Sequence, residues 1–538
     1  MTEQINFTFI INKMKNVLSI YGAHDSSVTF IDEFDQIRVF EYERFVKVRY
    51  AAFTKKYGYD DKSDENRENF IKYVKSKIKN EIELIVYNNL FDDDFTLLSK
   101  YFPNASFELA GHHMSHAASG YFLSNFDDAI ILSADGGGHD YGVVSFTNIF
   151  YAKNDEIKLI TSKNYNLGVA YGRIGSPISE ISPGGGDIID SMAYAGKVMG
   201  LCAYGKINNN WIESFKDFYL GNKNSHNQSN LNFLSNQTNL NLGYNSLSGQ
   251  ISYDLAATSQ YVFEEVMMDL INPYLEMSNN FIIVGGCGLN VLFNQKLKVE
   301  LNKIGKNLYI SPVPNDCGLS LGQFLNKTKK RINNFVYNGI DITDYEKLDD
   351  FIKLYNAEKI DINKIVDLIK SGKIIGTIQG NSEIGPRALG NRSIICDPTI
   401  KNMKDILNSK VKFREWFRPF APVCRQEDCE LFFDDVFESD YMSYAPKIKE
   451  KFWEILPSIT HNDGTGRLQT VNENGHKLFY NILSELKKRN EPPVILNTSF
   501  NIKGKPILTS IEDALYVLEE TDLDYVLIDD YLFEKKQK

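Results

Sequence analysis

Short apolar runs alternate with longer amphipathic segments through most of the 538 residues, and this alternation limits the fold more than any other feature. Apolar runs bounded by glycine, asparagine or charged residues predict strands at residues 16–21, 129–133, 281–285, 373–378 and 494–497. Segments with helical periodicity predict helices at residues 66–82, 255–277, 291–303 and 319–330. Strands and helices that alternate in this way favour an α/β fold.

The chain is longer than one hydrophobic core usually serves, so more than one domain is expected. The alternation of predicted strands and helices is interrupted over residues 331–348, RINNFVYNGIDITDYEKL, and resumes afterwards. We therefore predict one domain over residues 1–335 and a second over residues 346–538. Residues 208–250 are rich in asparagine and serine, which indicates an irregular surface insertion or, alternatively, a lid over a substrate.

Charge, cysteine content and hydropathy exclude several classes of protein. The formal net charge is −11, which argues against broad binding to nucleic acid. The six cysteines form no CxxC pair, so reduced thiols are expected rather than a zinc site or a disulfide framework. Since neither an export signal nor an apolar run long enough to span a membrane is visible, we expect a cytoplasmic enzyme without a membrane partner.

Two histidines and two aspartates in the first half have the character of metal ligands. His112 and His116 lie four residues apart in GHHMSHAAS, so they share one face of a helix. Asp135 ends an apolar strand before three glycines, and Asp316 lies in the loop SPVPNDCG before a predicted helix. Two imidazoles and two carboxylates suit a first-row metal such as Fe(II), Mn(II) or Zn(II). The spacing does not exclude the neighbouring His113 and His139 as ligands.

Three further features of this half could serve catalysis or nucleotide binding. His24 follows the first predicted strand in GAHDSS, where an imidazole could act as a general base, although a lone histidine is often structural. Lys197 lies among small residues in AGKVMGLCAYGK. The turn in FIIVGGCGLN offers backbone that a nucleotide can approach closely, with Gly285, Gly286 and Asn290 as candidates. Neither stretch is a Walker loop or a Rossmann fingerprint.

The second half contains a concentrated set of cations among proline, glycine and aromatic residues. The stretches GPRALGNRSIICDP and KVKFREWFRPFAP contain Arg387, Arg392, Lys412, Arg414 and Arg418. Arginines placed among apolar residues are partly buried, and a guanidinium binds phosphate or carboxylate in a bidentate manner. This pattern favours an anion pocket over a set of structural ion pairs.

Two downstream motifs add groups that could complete such a pocket. Arg467 lies in DGTGRLQTV, a short polar stretch. A predicted strand ends in NTSFN, which supplies Asn497, Ser499 and Asn501. Hydroxyl and amide groups at the end of a strand can orient a phosphate or a small carbonyl group.

Taken together, these motifs resemble the O-carbamoyltransferase family of the NodU/CmcH/TobZ type. The motifs occur in family order from about residue 16 to the C-terminus: GAHDSS, HHMSHAAS, SADGGG, AGKVMGL, GPRALGNRS, KFREWFRPFAP, DGTGRLQTV and NTSFN. The turn GGCGLN departs from the family pattern at Cys287 and Gly288, which makes the nucleotide assignment there weaker.

The resemblance implies an N-terminal actin-like ATPase (ASKHA) domain followed by a C-terminal YrdC-like α/β domain. The C-terminal domain would combine carbamoyl phosphate with ATP and Mg(II) to give carbamoyl adenylate and pyrophosphate. Arg387, Lys412, Arg418 and Arg467 would act there, with Ser499, Asn497, Asn501 and Arg414 binding substrate. In the N-terminal domain His112, His116, Asp135 and Asp316 would hold a divalent metal, with Fe(II) as first choice. Asp316 would also contact the nucleotide, and His24 would be the base on the acceptor hydroxyl.

The resemblance leaves the acceptor and some rival functions open. A sugar or natural-product hydroxyl is the first expectation, and the hydroxymethyl group of a modified pyrimidine in a nucleotide or DNA is the second. The alternatives are a tRNA threonylcarbamoyl-type enzyme, a hydrogenase-maturation relative, a sugar-kinase relative and a non-catalytic nucleotide-binding scaffold. A homodimer is the commonest arrangement for such enzymes.

Overall fold

The fold comes from a computed structural model that describes residues 16–57, 63–182, 191–221, 225–333 and 335–536. The strands of the first half are β1 Val17–Tyr21, β2 Ser27–Ile31, β3 Ile37–Glu41, β4 Leu84–Asn88, β5 Ser106–Leu109, β6 Asp128–Asp140, β7 Val143–Lys153, β8 Glu156–Lys163, β9 Asn280–Val284 and β10 Asn307–Ile310. Those of the second half are β11 Glu358–Lys359, β12 Ile375–Ile378, β13 Arg392–Cys396, β14 Ala421–Arg425, β15 Gln469–Val471, β16 Val494–Ser499, β17 Tyr525–Ile528 and β18 Tyr531–Glu534.

The α-helices of the described residues fall between and after these strands. In the first half they are α1 Tyr42–Val46, α2 Ser63–Lys77, α3 Asp92–Tyr101, α4 His112–Leu123, α5 Leu167–Arg173, α6 Tyr194–Leu201, α7 Ile212–Leu220, α8 Leu231–Thr238, α9 Gln250–Ile271, α10 Val291–Lys303 and α11 Leu319–Thr328. In the second half they are α12 Leu348–Tyr355, α13 Ile362–Lys370, α14 Met403–Ile406, α15 Cys429–Phe432, α16 Lys477–Lys488 and α17 Ile511–Glu520.

The first half contains the same sheet topology twice. One five-stranded sheet has the order β3-β2-β1-β4-β5, and the other has the order β8-β7-β6-β9-β10. In each sheet, an antiparallel meander lies on one side of the central strand, which is β1 or β6, and parallel strands lie on the other side. This duplication is the arrangement expected of an actin-like domain, and the prediction of an α/β fold is confirmed.

The second half forms one mixed sheet of eight strands in the order β11-β18-β17-β12-β13-β16-β14-β15. Helices α13 and α16 cover one face through residues such as Ile369 and Phe479. Helix α17 packs on the other face through Leu515 and Leu518. Because both faces are covered, the strands are apolar along most of their length rather than alternating.

Most predicted elements lie within a few residues of the observed ones. Helix α10 has the predicted bounds, whereas α2 and α9 each begin and end earlier than predicted. The prediction of an irregular insertion at residues 208–250 is wrong for much of that segment. It contains α7 and α8, and Trp211, Phe215 and Phe218 lie in the hydrophobic core. These aromatic residues require burial, so the asparagine-rich composition conceals a packed pair of helices.

The two halves are packed against each other through buried side chains. The Arg44 guanidinium on α1 donates hydrogen bonds to the carbonyl oxygens of Glu383 and Gly385, both at 2.5 Å. Phe417 and Tyr444 belong to a core cluster made mainly of first-half residues. All six cysteines are buried and unpaired, in agreement with the expectation of reduced thiols. None of the helices in the described residues has the length and hydropathy to cross a membrane.

Candidate functional site

Four predicted ligands meet between the two five-stranded sheets. His112 and His116 lie on the first turns of α4, Asp135 lies in β6, and Asp316 follows β10. One ligand atom from each residue lies within 4.8 Å of the others. The His116 Nε2 atom is 3.0 Å from Asp135 Oδ2 and 3.3 Å from Asp316 Oδ1. The His112 Nε2 atom is 3.7 Å from the same two oxygens.

The hydrogen bonding of this cluster fits a bound cation. His112 and His116 are 1% and 0% exposed. Among the described residues, both ring nitrogens of His112 and the Asp316 Oδ1 atom have no hydrogen-bond partner. Buried polar atoms are nearly always satisfied, so unpartnered ligand atoms that converge on one point indicate a metal site. Two imidazoles and two carboxylates are a donor set for a first-row divalent ion.

The charges within the cluster also fit a cation. Burial lowers the pKa of His116, but its hydrogen bond to Asp135 and its contact with Asp316 outweigh this effect and raise the value to about 9. Burial raises the pKa of Asp135, but His112 and His116 outweigh that effect and hold it well below its usual range. The carboxylates of the cluster are therefore ionised, and a proton on His116 balances part of a negative charge that a bound metal ion could also balance.

Glycines leave the space that these ligands need. A Cβ atom on Gly138 would lie 2.0 Å from the His112 ring, and one on Gly286 would lie 3.0 Å from Asp135 Oδ1. Gly285 has a φ of 84°, and a Cβ there would lie 2.2 Å from the carbonyl oxygen of Ala134. The glycine-rich turns thus bring backbone against the metal ligands.

The two competing histidines have other roles. The His113 Nδ1 atom lies 2.7 Å from the Ser133 hydroxyl, and its Nε2 atom lies 3.1 Å from the Ser145 carbonyl oxygen. Burial and the neighbouring imidazoles lower the pKa of His113 to about 4, so it is neutral and structural. His139 is exposed on the far part of β6. Neither histidine belongs to the four-residue cluster.

His24 lies beside the metal cluster at the end of β1. Its Nε2 atom is 3.6 Å from Asp316 Oδ2, and its Nδ1 atom is 3.1 Å from Asp25 Oδ2. Its side chain is 39% exposed, in contrast to the buried ligands. Asp316 is fixed from the other side by the Tyr21 hydroxyl, which donates a hydrogen bond of 2.8 Å to Oδ2. Burial lowers the pKa of His24, but the hydrogen bond to Asp25 and the charge of Asp316 outweigh it and raise the value to about 9. A cation bound at the cluster would lower this pKa, and the neutral ring could then accept a proton from a molecule that approaches from solvent.

The predicted nucleotide-binding side chains are already engaged within the protein. The Asn290 side chain accepts from Phe293 N at the start of α10 and forms hydrogen bonds with Gln260. The Lys197 ammonium lies 3.0 Å from Glu415 Oε1 in the second half of the chain. Gly285 and Gly286 adjoin Asp135, so only the backbone of this turn is placed to contact a ligand at the metal cluster.

Lys412 forms the centre of the second predicted site. Its ammonium lies 2.6 Å from the Ser499 carbonyl oxygen and 2.5 Å from Asn501 Oδ1. A π-helical turn over Leu407–Val411 precedes it, and such turns are frequent at functional sites. The structure thus brings Lys412, Ser499 and Asn501 together at the end of β16, as the sequence predicts.

The predicted arginines lie close enough to oppose one another's charge. Burial, and then the charges of Arg387, Arg414 and Arg418, hold the pKa of Arg467 well below its usual value. Burial and Arg418 lower the pKa of Arg387 to about 10. Among the described residues, Glu415 alone is paired with this group, at 3.5 Å from Arg418. A partly buried excess of positive charge favours the binding of an anion, so this cluster has the character of an anion pocket.

Other predicted residues in this region support the pocket rather than face into it. Arg414 donates from Nε to Asn408 Oδ1 at 2.7 Å and stacks on Phe420. The Asn497 side chain donates to the Ala388 carbonyl oxygen, next to Arg387. Arg392 is fully buried and donates to the carbonyl oxygens of residues 379, 380 and 391, so its role is structural.

Arg49 is a member of the cationic cluster that the sequence analysis missed. It lies after α1 in the first half, and its charge lowers the pKa values of Lys412 and Arg418. The adjacent Tyr50 has a pKa raised to about 12 by burial, and it is within electrostatic reach of both Asp25 and Arg418. Residues 49–50 are therefore within electrostatic reach both of Asp25, the neighbour of His24, and of the cationic pocket. The basic run VKVR after α1 was the available sequence signal.

Two family models together match most of this chain. Residues 33–325 match the family described as Carbamoyltransferase N-terminus, and residues 366–535 match Carbamoyltransferase C-terminus. An uncharacterized protein of Methanocaldococcus jannaschii is 30% identical over 96% of this chain and 99% of its own length.

Two nodulation proteins are also similar to this chain. Nodulation protein NolNO of Sinorhizobium fredii is 30% identical over 79% of this chain, which covers 63% of the longer relative. Nodulation protein NolO of Bradyrhizobium diazoefficiens is 29% identical over 79% of each chain. Among solved structures, full-length HypF in a phosphate- and nucleotide-bound form has a TM-score of 0.36 and 14% identity, over 58% of this chain and 55% of HypF.

Proposed function

The chain belongs to the carbamoyltransferase family, and on that premise we propose that it is an ATP-dependent O-carbamoyltransferase with two half-reactions. The observation that carries this proposal is the excess of positive charge formed by the partly buried Arg387, Arg418 and Arg467 with the buried Lys412. Two phosphorylated substrates, ATP with Mg(II) and carbamoyl phosphate, would supply the negative charge that this cluster lacks.

The first half-reaction would take place in the cationic pocket. Carbamoyl phosphate loses its phosphoryl group to water as inorganic phosphate, which leaves carbamate. A carbamate oxygen then forms a bond to the α-phosphorus of ATP while the bond to the β-phosphate oxygen breaks. Carbamoyl adenylate and pyrophosphate result, and each turnover releases one phosphate and one pyrophosphate. Positive groups fixed before the substrates arrive would stabilise the charge that develops on the leaving phosphates.

The second half-reaction would take place at the metal cluster. The acceptor oxygen forms a bond to the carbamoyl carbon, and the bond from that carbon to the AMP oxygen breaks, so AMP leaves with the electron pair. His24 would take the proton from the acceptor hydroxyl, since its ring lies at the open edge of the cluster. A divalent metal held by His112, His116, Asp135 and Asp316 would supply Lewis acidity toward the adenylate phosphate. We assign Fe(II) as the first candidate, with Mn(II) and Zn(II) as alternatives.

We propose a hydroxyl of a sugar or natural product as the acceptor. A pair of variants separates the half-reactions. Arg418→Ala should abolish pyrophosphate release from ATP and carbamoyl phosphate, because Arg418 is at the centre of the mutually repelling cations. His24→Ala should form pyrophosphate yet transfer the carbamoyl group about 10²–10⁴-fold more slowly.

Colorimetric pyrophosphate release and mass spectrometry of the carbamoylated acceptor measure the two steps. Circular dichroism of each variant provides the control for folding. Normal pyrophosphate release by Arg418→Ala would show that the pocket does not act in the first step. An unchanged transfer rate in His24→Ala would show that another group is the base.

A further inference from the structure

A buried ion pair joins α6 of the first half to the cationic cluster of the second half. The Lys197 ammonium lies 3.0 Å from Glu415 Oε1, and it donates a hydrogen bond of 3.0 Å to the carbonyl oxygen of Ile181. The side chains of Lys197 and Glu415 are 10% and 8% exposed. The desolvation of two buried charges offsets much of their attraction, so such a pair contributes little net stability. A role in the neighbouring anion pocket is the alternative.

Helix α6 packs directly on the segment that contains Glu415. A Cβ on Gly200 would lie 3.5 Å from Pro419 Cδ and 3.7 Å from the Phe417 ring. The His461 Nε2 atom lies 2.7 Å from the carbonyl oxygen of Gly200. Because these contacts leave no space between the two segments, the first half fixes the position of residues 415–419 in the second half.

The Glu415 carboxylate lies between Lys197 and Arg418. Its Oε1 atom faces Lys197, while its Oε2 atom lies 3.5 Å from Arg418 Nη1. A close arginine–carboxylate hydrogen bond measures about 2.7–2.9 Å, so Arg418 is only partly neutralised. Burial raises the pKa of Glu415, but Arg418 and then Lys197 outweigh it and lower the value to about 2, so this carboxylate is ionised. The Arg418 side chain is 29% exposed and can therefore also contact a ligand.

Lys197 and Arg418 compete for the charge of Glu415. In a bidentate pair at hydrogen-bond distance, a carboxylate occupies the same donors with which a guanidinium binds phosphate. Lys503 also lies near Glu415 Oε1, at 3.7 Å, but its side chain is 51% exposed, so solvent and salt screen this contact. Lys197 is therefore the buried cation that holds Glu415 away from a close pair with Arg418.

We propose that Lys197 is a positioning residue that prevents Glu415 from neutralising Arg418, so that Arg418 stays available to the anionic substrates. This inference rests on the proposed function, in which Arg418 binds phosphorylated substrates. It gives Lys197 a role other than nucleotide binding, since an ammonium engaged with Glu415 and Ile181 acts through Glu415. Because Lys197 belongs to the first half, the anion pocket of the second half depends on the packing of the two halves.

The test measures the affinity of the full chain for inorganic pyrophosphate by isothermal titration calorimetry. Lys197→Gln should weaken binding by about 10-fold or more, because Glu415 then pairs closely with Arg418. The double variant with Lys197→Gln and Glu415→Gln lacks the competing carboxylate and should bind within about 3-fold of the wild type. A purely structural loss would not be restored by a second buried substitution. Glu415→Gln alone should bind pyrophosphate no more weakly than the wild type.

Lys296→Gln is the matched control, because Lys296 is a partly buried lysine of the first half that pairs with Glu264 and Glu265. It should leave the affinity unchanged. Unchanged binding in Lys197→Gln, a double variant that binds no better than Lys197→Gln, or no binding of pyrophosphate by the wild type would overturn the inference. Pyrophosphate release by the wild type from ATP and carbamoyl phosphate, measured separately, tests the proposed function. Its absence with the binding pattern intact would contradict the reaction but not the role of Lys197.

Discussion

At the scale of single residues, the spacing of His112 and His116 is informative because of the residues that face them. A pair of histidines four residues apart occurs in many helices, but here both face Asp135 and Asp316 across the space between two sheets. The cluster is buried and its ligand atoms lack other partners, so a cation is the group that best satisfies it.

The metal cluster leads to a prediction about composition. His116→Ala should reduce the bound divalent metal from about one ion per chain to near zero, because it removes a ligand that lies within 3.3 Å of both carboxylates. Elemental analysis by inductively coupled plasma mass spectrometry measures this. His139→Ala, which changes an exposed histidine of β6, the strand that contains Asp135, should keep the metal. Equal metal content in the two variants would show that His116 is not a ligand.

At the scale of elements, helix α16 has a buried histidine at its N-terminus that both caps the helix and contacts a neighbouring segment. His476 lies at its N-cap, accepts from Phe479 N through Nδ1, and lies 2.9 Å from Asn391 Oδ1 through Nε2. This hydrogen bonding requires the neutral ring, with its proton on Nε2. Burial lowers the pKa of His476 to about 4.

This histidine makes the stability of α16 depend on pH. Its folded-state pKa is below the unfolded value near 6.5, so the stabilisation is fully present above pH 6.5 and is lost as the pH falls toward 4. His476→Asn keeps a capping side chain but does not titrate. Between pH 7 and pH 4.5, urea unfolding of the wild type should lose about 2–3 kcal/mol more than the variant loses. Parallel pH profiles would contradict a buried neutral His476.

The elements also show what the sequence could predict. Helix α10 is strongly periodic and has an Asn290 cap, so its bounds could be predicted residue by residue. Helices α7 and α8 were missed because asparagine and serine dominate the segment around them. The helical spacing of Trp211, Phe215 and Phe218 was the signal that could have identified α7. The four residues of the candidate metal site could be grouped from the sequence, because each lies on a helix face, at a predicted strand end or in a loop before a predicted helix. Arg49 could not be assigned to the cationic cluster in this way, because only tertiary packing brings it near Arg418.

At the scale of the whole molecule, the two halves act as one unit. Buried Arg44 connects them through Glu383 and Gly385, and Arg49 extends from the first half into the cationic cluster of the second. Tyr50, next to Arg49, is within electrostatic reach both of Asp25, the neighbour of His24, and of Arg418 in the second half.

This interface leads to a prediction about stability. Arg44→Met should lower the free energy of unfolding by about 3–5 kcal/mol. It leaves the buried carbonyl oxygens of Glu383 and Gly385 without their donor across the interface, and it removes the partner of buried Glu41. Lys47→Met removes an exposed cation that pairs with Asp513 across the same interface, and it should cost about 0–1 kcal/mol. Chemical denaturation followed by fluorescence compares them. Equal losses would contradict the view that the buried contact joins the halves.

The central claim is that the cationic pocket activates carbamoyl phosphate with ATP before any acceptor is present. Exchange of radiolabelled pyrophosphate into ATP, measured on the full chain without acceptor, tests it most directly. Exchange that requires carbamoyl phosphate and is lost in Arg467→Gln is the predicted result. Exchange that is absent with both substrates and metal present, or that proceeds equally without carbamoyl phosphate, would contradict the claim.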